Sequence, residues 1–334
     1  MNRAIVQKVF PGSNPAESLA LVWKEKPQAM AGKVVVRMTA SAINPIDLKY
    51  IRSGFLARFS HKGAILGSEG VGVIHEVGEG VSSYKLGERV IPVVFFKYYV
   101  EEGEGAWQDY LHVEEEDLVR VPDSIPDSIA AQFVINPWTV YGMLSDLCIP
   151  KSKYLVQTAA ASVFGRQCIQ LAKYWGIKTI NIVRREELKE ELKDLGADEV
   201  INSETEDIIK RVREITNGEG AYACIDAVGG ILTKVVAGCV RDKGKVIVYG
   251  SMGSSDVIIN IFDLIREVDV SYWSLTPLYE DKNKKTRCIL DLLYMTDHKI
   301  ITPLAGKTFA LENFKEAIKE SEAYARGGKI ILIN

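Results

Sequence analysis

The stretch that decides the fold is residues 158–166, which read TAAASVFGR. An apolar strand signal at residues 154–159 precedes it and a helical segment follows it. Against the pattern GxGxxG, the turn reads Ala160-x-Ser162-x-x-Gly165. Small residues here let the backbone approach a pyrophosphate, and the free N–H groups of the following helix N-terminus point to it. A turn of small residues chosen for tight packing alone is the alternative interpretation.

The chain beyond this turn alternates between strands and helices. Strand signals occupy residues 179–183, 199–202, 223–227 and 245–249, and helical signals occupy residues 186–195, 206–216 and 232–240. Such alternation predicts a parallel sheet with helices on both faces, which is a doubly wound Rossmann domain of the α/β class.

The sequence before the turn has a different texture. Short strand signals at residues 4–10, 19–23, 33–42 and 70–77 are broken by glycine, proline and charged turns, which predicts a β-rich domain. Residues 127–145 read as one helix. Near the C-terminus, helical signals at residues 285–296 and 309–325 precede a final strand at residues 329–333.

The second strand of the Rossmann segment ends in NIVRR, residues 181–185. Enzymes that use NAD typically carry a carboxylate at this strand end, where it binds the ribose hydroxyls and would repel a 2′-phosphate. Arg184 and Arg185 can instead pair with a 2′-phosphate through charge-assisted hydrogen bonds, so the pattern favours NADPH. The alternative is that both arginines are the solvated start of a helix that begins Glu186-Glu187.

The composition argues against nucleic-acid and membrane functions. The chain has 334 residues, 47% of them hydrophobic and 25% charged, with a formal net charge of −3. It has no basic stripe, and apolar runs such as residues 245–249 are too short to span a bilayer. The N-terminus enters a strand-like segment without the features of a secretory signal, so we expect a cytoplasmic protein. The five cysteines form no CxxC pair and are expected to pack as small hydrophobes.

Several motifs, taken in order, resemble the medium-chain dehydrogenases/reductases. They are residues 44–47 (NPID), 67–72 (GSEGVG), 84–90 (YKLGERV) and 136–141 (NPWTVY), followed by the turn at residues 160–165. Further matches at residues 249–252, 272–273 and 328–329 extend the resemblance over nearly the whole chain. Within the superfamily, the chain is most similar to the quinone oxidoreductases and the mitochondrial-type 2-enoyl thioester reductases.

The resemblance implies a GroES-like β-rich catalytic domain that is interrupted by the Rossmann domain and completed by the C-terminal segment. The expected organisation is therefore a catalytic domain of residues 1–125 and 272–334, and an NADPH-binding domain of residues 126–271. It also implies a homodimer joined edge to edge through the Rossmann sheets, for which residues 257–261 are the expected edge strand.

The resemblance also bears on metal binding. Zinc-dependent relatives place a cysteine ligand where this chain has Asn44, and a histidine where it has Ser68. No cysteine precedes Cys148, so the four cysteines of the relatives' structural-zinc lobe have no counterpart here. The histidines fall in no ligand-like spacing; they are His61, His75, His112 and His298. We therefore expect no metal site.

The resemblance assigns roles to individual residues. It implies that Asn44 lies near the nicotinamide ribose and Thr139 near the nicotinamide. It implies that Ser162, Phe164 and Gly165 line the pyrophosphate, while Arg184 and Arg185 hold the 2′-phosphate. The other residues expected along the cofactor and substrate are Gly250, Met252, Trp273 and Lys329.

Without a metal, the available chemistry is hydride transfer from NADPH to a quinone, an enone or an enoyl thioester. In the enoyl reductases, a tyrosine shortly after the Asn-Pro-x-Asp motif is the proton donor. The matching position here is Phe55, which has no proton to give. Tyr50 is nearby, and it is either a substitute donor or a packed aromatic residue. A quinone is the more forgiving substrate, because solvent can protonate its reduced oxygens.

Three functions follow from these observations. The leading hypothesis is an NADPH-dependent oxidoreductase that reduces a quinone or the activated C=C bond of an enone without zinc. The second is a trans-2-enoyl-CoA or acyl-carrier thioester reductase, which needs a donor other than Phe55. The third, from another class, is an NADPH-binding protein with no significant turnover, since binding a cofactor does not require catalysis.

Overall fold

The computed structural model describes residues 1–54, 62–323 and 327–334. The predictions on Phe55 and His61 therefore lie outside the described residues. Residue contacts divide the chain into two units: unit 1 is Met1–Ile135 with Thr302–Asn334, and unit 2 is Asn136–Ile301. In the part of the chain that the structure describes, no helix is both long enough and apolar enough to cross a membrane.

The elements are numbered in chain order. The strands are β1 (Asn2–Gln7), β2 (Leu19–Lys24), β3 (Lys33–Ala42), β4 (Gly70–Val77), β5 (Arg89–Pro92), β6 (Tyr110–Glu114), β7 (Leu118–Arg120), β8 (Tyr154–Gln157), β9 (Lys178–Val183), β10 (Glu199–Asn202), β11 (Ala221–Asp226), β12 (Val240–Val248), β13 (Asp269–Tyr272), β14 (Ala305–Ala310) and β15 (Lys329–Ile333).

The α-helices are α1 (Pro15–Ser18), α2 (Pro45–Ser53), α3 (Asp127–Ala130), α4 (Ile135–Leu147), α5 (Val163–Trp175), α6 (Leu188–Leu195), α7 (Ile208–Ile215), α8 (Ile231–Cys239), α9 (Ile261–Ile265), α10 (Thr276–Glu280), α11 (Lys282–Asp297) and α12 (Phe314–Glu322). A π-helix spans Phe95–Glu102, and short 3₁₀ turns span Glu115–Asp117 and Leu311–Asn313.

Unit 1 is built on a seven-stranded sheet in the order β14-β15-β3-β4-β5-β7, with β6 pairing with β3. Strand β3 is antiparallel to β4, β6 and β15. Its alternating pattern places Val34, Val36 and Met38 on one face, where they pack into the core with Ile74 and Val90. The predicted β-rich fold of this region is confirmed.

Unit 2 is built on six parallel strands in the order β10-β9-β8-β11-β12-β13. The chain starts at the centre with β8, moves outward through β9 and β10, and then returns to β11 on the other side. This is the 3-2-1-4-5-6 order of dinucleotide-binding sheets. Apolar residues that pack along the inner strands include Val156, Ile180, Cys224 and Val246. The predicted Rossmann fold is confirmed.

Two predicted elements were wrong. Residues 127–145 form α3 and α4, separated by a turn, rather than one helix. Residues 257–261 do not form the edge strand; α9 begins there instead, because the Asn260 side chain caps it by accepting from the Phe262 N–H at 3.1 Å. The edge of the sheet on this side is β13.

The unit boundaries also differ from the expected ones. The sequence placed them after residues 125 and 271, whereas the contacts place them after Ile135 and Ile301. The C-terminal difference has a visible cause, because residues that follow β13 pack on α4. The Trp273 indole donates to Asp146 at 2.8 Å, and the Tyr141 hydroxyl donates to Asp291 at 2.6 Å.

Candidate active site

The turn after β8 in unit 2 has the geometry of a phosphate-binding turn. Ala159 adopts a left-handed backbone with a φ of 50°, and Ser162 caps α5 by accepting from the Gly165 N–H at 3.0 Å. A Cβ on Gly165 would lie 2.4 Å from the Ala160 carbonyl oxygen, so a larger residue does not fit here. The first-turn N–H groups of α5 therefore stay close to the strand end, where they can bind an anion.

The crevice between β8 and β11 is braced by buried polar groups. The Thr158 hydroxyl donates to Asp226 at 2.7 Å and accepts from the Ala227 N–H at 2.9 Å. Thr233 donates to the other Asp226 oxygen at 2.6 Å. The strand order reverses here, and ligands of open α/β sheets bind at this point, outside the carboxyl ends of the strands. Asp226 was not predicted from the sequence, although an acidic residue at the end of an apolar strand was a signal for it.

The two arginines follow β9, which pairs with β8. Because β8 and β9 are parallel, Arg184 and Arg185 lie at the same end of the sheet as the Ser162 turn, beyond the carboxyl ends of the strands. Arg184 is exposed, and Arg185 is partly buried and forms a long ion pair with Glu187 at 3.4 Å. Phe164 stacks on Tyr249 with ring centroids 4.4 Å apart. This end of the sheet thus combines the N–H groups of the first turn of α5 with exposed positive charge.

The remaining predicted residues of unit 2 have varied surroundings. Thr139 is half-buried on α4. A Cβ on Gly250 would lie 2.6 Å from the Ala227 carbonyl oxygen, and the exposed Met252 donates its N–H to the same oxygen at 3.0 Å. Gly250 and Met252 therefore line the loop after β11, whereas Trp273 packs against α4.

Unit 1 contains a buried group of polar side chains that we call the polar cluster. Strand pairing assembles it: Ser41 pairs with Gly70 across β3 and β4, and the Ile43 N–H donates to the Ile330 carbonyl at 3.0 Å. These pairings bring neighbouring residues that are far apart in the sequence into contact. The polar cluster consists of Asn44, Asp47, Ser68, Glu69 and Lys329, each at most 1% exposed.

Asn44 is the centre of the polar cluster. Its side-chain amide donates to Ser68 Oγ at 3.0 Å and to Glu69 Oε1 at 2.8 Å. Its Oδ1 accepts from the Lys329 ammonium at 2.5 Å. The Asn44 backbone N–H donates to Asp47 Oδ2 at 2.8 Å, and the Ser68 hydroxyl donates to the same oxygen at 3.1 Å. The amide side chain therefore uses both hydrogens and its oxygen inside the cluster.

The two carboxyl groups of the cluster differ in the hydrogen bonds and charges that stabilise their ionised forms. Burial raises the pKa of Glu69, but Lys329 and the N–H groups of Val134 and Ile135, which donate at 2.8 and 2.9 Å, act in the opposite direction. Asp47 accepts fewer hydrogen bonds, and burial raises its pKa to about 7. Motifs quoted in the sequence analysis contain both residues, but only the structure shows that their carboxyl groups are buried together.

The donor set of the polar cluster does not suit zinc. Zinc prefers thiolate, imidazole and carboxylate ligands, whereas Asn44 and Ser68 supply a neutral amide and a hydroxyl. The Lys329 ammonium, bonded to the Asn44 side chain, would also repel a divalent cation. Among the described residues, no group of three or more His, Cys, Asp or Glu side chains is placed to hold a metal ion.

Tyr50 has the surroundings of a packed aromatic residue. Its ring is buried and stacks on Tyr99 with centroids 4.5 Å apart. Its hydroxyl donates to the Tyr99 carbonyl at 3.4 Å, and burial raises its pKa. The structure thus directs this hydroxyl toward the backbone of the π-helix.

Comparisons with known proteins agree with both units. Residues 30–123 match the family model of the alcohol dehydrogenase GroES-like domain, and residues 165–280 match that of the zinc-binding dehydrogenases. The chain is 32% identical, over 312 residues, to a mitochondrial enoyl-[acyl-carrier-protein] reductase of Xenopus tropicalis, which covers 90% of this chain and 87% of the relative. The chain belongs to the medium-chain dehydrogenase/reductase superfamily.

Solved structures place it among the oxidoreductases of that superfamily. A quinone oxidoreductase of Pseudomonas syringae pv. Tomato DC3000 superposes with a TM-score of 0.86 at 28% identity, covering 100% of both chains. The Escherichia coli quinone oxidoreductase, solved in complex with NADPH, superposes with a TM-score of 0.86 at 25% identity, also covering 100% of both chains. The protein is an oxidoreductase with a nicotinamide cofactor.

Proposed function

We propose that this protein is an NADPH-dependent reductase that acts on a quinone or an enone without zinc. The observation that carries the proposal is the hydrogen-bonded arrangement of Asn44, Ser68 and Lys329. Asn44 and Ser68 stand where zinc-dependent relatives have ligands, and an ammonium group is bonded to Asn44. A buried positive charge can stabilise an oxygen on which negative charge develops, which is the role of zinc in the metal-dependent reaction.

The choice of NADPH rests on unit 2. The turn at Ser162 and Gly165 fits a pyrophosphate, because its backbone is tight and the N–H groups of α5 lie beside it. Arg184 and Arg185 follow the neighbouring strand and supply positive charge for a 2′-phosphate. The Escherichia coli relative was solved in complex with NADPH, which supports the same choice here.

The proposed reaction divides the work between the cofactor and the protein. Bound NADPH supplies a hydride to the acceptor. In unit 2, Ser162, Phe164 and Gly165 hold the pyrophosphate and Thr139 binds the nicotinamide. In unit 1, Asn44 binds the nicotinamide ribose. The acceptor oxygen binds beside Asn44 and Ser68, where the positive charge of Lys329 acts on it through the Asn44 amide. Gly250, Met252 and Trp273 are the further residues of unit 2 that we assign to the cofactor and substrate, and Tyr50 of unit 1 is the alternative proton donor that the control variant tests.

Enoyl thioester reduction is the second candidate, and the sequence relatives favour it. The Xenopus tropicalis relative is named an enoyl-[acyl-carrier-protein] reductase, and so are those of Dictyostelium discoideum and Homo sapiens, which are 29% and 31% identical. Reduction of an enoyl thioester creates an enolate whose α-carbon must be protonated, and a positioned acid contributes roughly 10²–10⁴-fold. Phenylalanine at position 55 cannot be that acid.

The decisive experiment measures NADPH oxidation with a panel of quinones, enones and crotonyl-CoA. We expect quinones and simple enones to be reduced faster than crotonyl-CoA. Phe55→Tyr should accelerate crotonyl-CoA reduction and scarcely change quinone turnover, and Tyr50→Phe is the matched control. Fast crotonyl-CoA reduction by the wild type, abolished by Tyr50→Phe, would make the thioester reductase the correct function. A protein that binds NADPH and reduces no acceptor would contradict both.

We further propose a homodimer formed through the edge of the unit 2 sheet. Strand β13 is the last strand on that side, so its outer backbone groups can pair with the same strand of a second copy. Tyr272 is 64% exposed, and nearby apolar residues of α9, including Phe262 and Ile265, are similarly exposed. Sedimentation equilibrium should give twice the mass of the chain, and Ser271→Pro, which removes a backbone donor of β13, should give the monomer.

A further inference from the structure

Among the buried side-chain atoms of unit 1 that lack a full hydrogen bond in the described part of the chain, two belong to side chains that interact with each other. They are Asp47 Oδ1 and the Tyr99 hydroxyl oxygen, and both residues are 0% exposed. The two side chains interact with each other, although the geometry falls short of a complete hydrogen bond. Buried polar atoms are nearly always satisfied, so two interacting side chains that each keep an incompletely bonded atom call for an explanation.

The π-helix delivers Tyr99 to this position. Its wider turn is visible in the Tyr99 N–H, which donates to the Val94 carbonyl five residues earlier at 2.9 Å. Helices of this kind occur frequently at functional sites. Two successive tyrosines are buried by it but meet different partners. The Tyr98 hydroxyl donates to Asp117 at 3.3 Å and accepts from the Glu114 N–H at 2.9 Å, whereas the Tyr99 hydroxyl faces Asp47.

The charges around Asp47 favour one extra proton. Two carboxyl groups, Asp47 and Glu69, share the cluster with one ammonium, that of Lys329. Glu69 has two backbone N–H donors and an amide donor, so it is the better supported carboxylate. The tyrosines Tyr50 and Tyr99 are neutral, because burial raises the pKa of each. The extra proton is therefore held by Asp47 rather than by Glu69 at a pH below the pKa of Asp47, which burial raises to about 7.

We propose that Asp47 stores the proton for the reduced acceptor and releases it through the Ser68 hydroxyl, while Tyr99 positions Asp47 and stabilises the carboxylate that remains. The inference rests on the proposed function, which places the acceptor oxygen beside Ser68. Asp47 Oδ2 and Ser68 Oγ are 3.1 Å apart and are joined by a hydrogen bond in which Ser68 donates. When the Ser68 hydroxyl turns to donate to the acceptor oxygen, the same contact lets Asp47 donate its proton to Ser68. The other carboxyl oxygen of Asp47, Oδ1, has no full hydrogen bond among the described residues, and the Tyr99 side chain interacts with this carboxyl group.

The proton transfer balances as follows in atoms and charge. A quinone or enone that has received a hydride, with its two electrons, carries one negative oxygen. The Ser68 O–H bond breaks and a new O–H bond forms on that oxygen. At the same time the Asp47 O–H bond breaks and its proton restores the Ser68 hydroxyl. Asp47 is left as a carboxylate, the Tyr99 hydroxyl donates to it, and a proton from water later reloads it.

The first test measures whether Asp47 titrates, without any assay of activity. An acid whose folded pKa lies near 7, above an unfolded pKa of about 3.9, stabilises the fold fully below that lower value. This stability is lost as the pH rises through the folded pKa. The free energy of unfolding in urea should therefore fall with rising pH for the wild type relative to Asp47→Asn, and the difference should level off above the folded pKa. A pH-independent difference would overturn the inference.

The second test uses the two neighbouring tyrosines as a matched pair. Tyr99→Phe removes the donor that stabilises the Asp47 carboxylate, so the pH at which that difference levels off should rise by about one unit. The midpoint of the pH profile of kcat for 1,4-benzoquinone should move equally. Tyr98→Phe, in the same π-helix, should leave both midpoints unchanged. Equal shifts for the two variants would show that the π-helix only supports the fold.

The third test addresses the Ser68 step. Ser68→Ala should lower kcat for 1,4-benzoquinone by at most about 10²-fold, because solvent can also protonate a reduced quinone oxygen, and should change the solvent deuterium isotope effect on kcat. NADPH binding should not change, and Ser68→Thr should restore turnover and the isotope effect. A wild type that reduces quinones with no Ser68 or Asp47 effect would refute this inference alone. A wild type that binds NADPH and reduces no acceptor would refute the proposed function and the relay together.

Discussion

The polar cluster of unit 1 and the turn after β8 in unit 2 are both proposed to serve one reaction, but they are built in opposite ways. The turn uses backbone N–H groups and close packing within a single continuous stretch around Gly165. The cluster uses side chains of Asn44, Ser68 and Lys329 drawn from separate strands. An anion held by backbone groups tolerates many side chains, whereas buried charges depend on each partner.

The largest expected effect is in the cluster. Lys329→Met removes the ammonium and leaves Glu69 and the Asn44 oxygen without it, so stability should fall by about 3–5 kcal/mol. The measurement is the free energy of unfolding in urea. Lys315→Met is the control, because Lys315 forms an exposed ion pair with Glu17 and should show no measurable change. A loss below about 1 kcal/mol for Lys329→Met would mean that the cluster tolerates substitution as the turn does.

The next largest effect concerns the preference for NADPH over NADH at the carboxyl ends of the unit 2 strands. A charge-assisted contact to a phosphate contributes about 1.5–3 kcal/mol, so Arg184→Ala should weaken NADPH binding by roughly tenfold to a hundredfold. NADH binding, measured by the same fluorescence titration, should change little. Arg211→Ala is the control, since Arg211 pairs with Glu214 on α7. Equal losses for both cofactors would show that Arg184 supports the fold rather than a 2′-phosphate.

A smaller effect distinguishes a glycine of the turn from a glycine elsewhere in unit 2. Gly165→Ala brings a Cβ to 2.4 Å from the Ala160 carbonyl and should cost about 1–3 kcal/mol in urea unfolding and weaken NADPH binding. Gly238→Ala on α8 meets the side-chain end of Ile209 at 3.0 Å, which can move. Its stability should be unchanged or higher, because alanine favours a helix by up to about 1 kcal/mol over glycine. Equal destabilisation by Gly165→Ala and Gly238→Ala would show that the turn is no more sensitive to an added Cβ than helix α8 is.

The smallest expected effect is that of a chelator. Because Asn44, Ser68 and Lys329 form a donor set unsuited to zinc, EDTA should leave quinone reduction intact. Metal analysis of the purified protein should find no stoichiometric zinc. One tightly bound zinc ion per chain, lost together with activity on chelation, would contradict this prediction. It would show that the cluster binds zinc as the metal-dependent relatives do.

How far the sequence predicted the site depends on the distance between the residues involved. The strand–turn–helix structure at residues 158–166 and the position of the arginines after β9 were predicted correctly, because strand, turn and helix follow one another locally, and their binding roles stay predictions. The edge strand at residues 257–261, which the resemblance implied, was predicted wrongly, because the apolar run VIINI did not reveal the Asn260 cap that starts α9. Tyr99 carried no signal, because nothing in FFKYYVEE indicates a π-helix or a facing carboxyl group.

The sequence by itself determined the two fold types, the small-residue turn and the positive charge after β9, because each depends on periodicity or on residues adjacent in the chain. Only the tertiary structure decided that Lys329 bonds to Asn44, 285 positions away, and that Asp47 and Glu69 share one buried site. Strand pairing brings these residues together, and burial then sets their charge. A single stretch of sequence shows neither which strand a segment pairs with nor the local dielectric around a buried charged group.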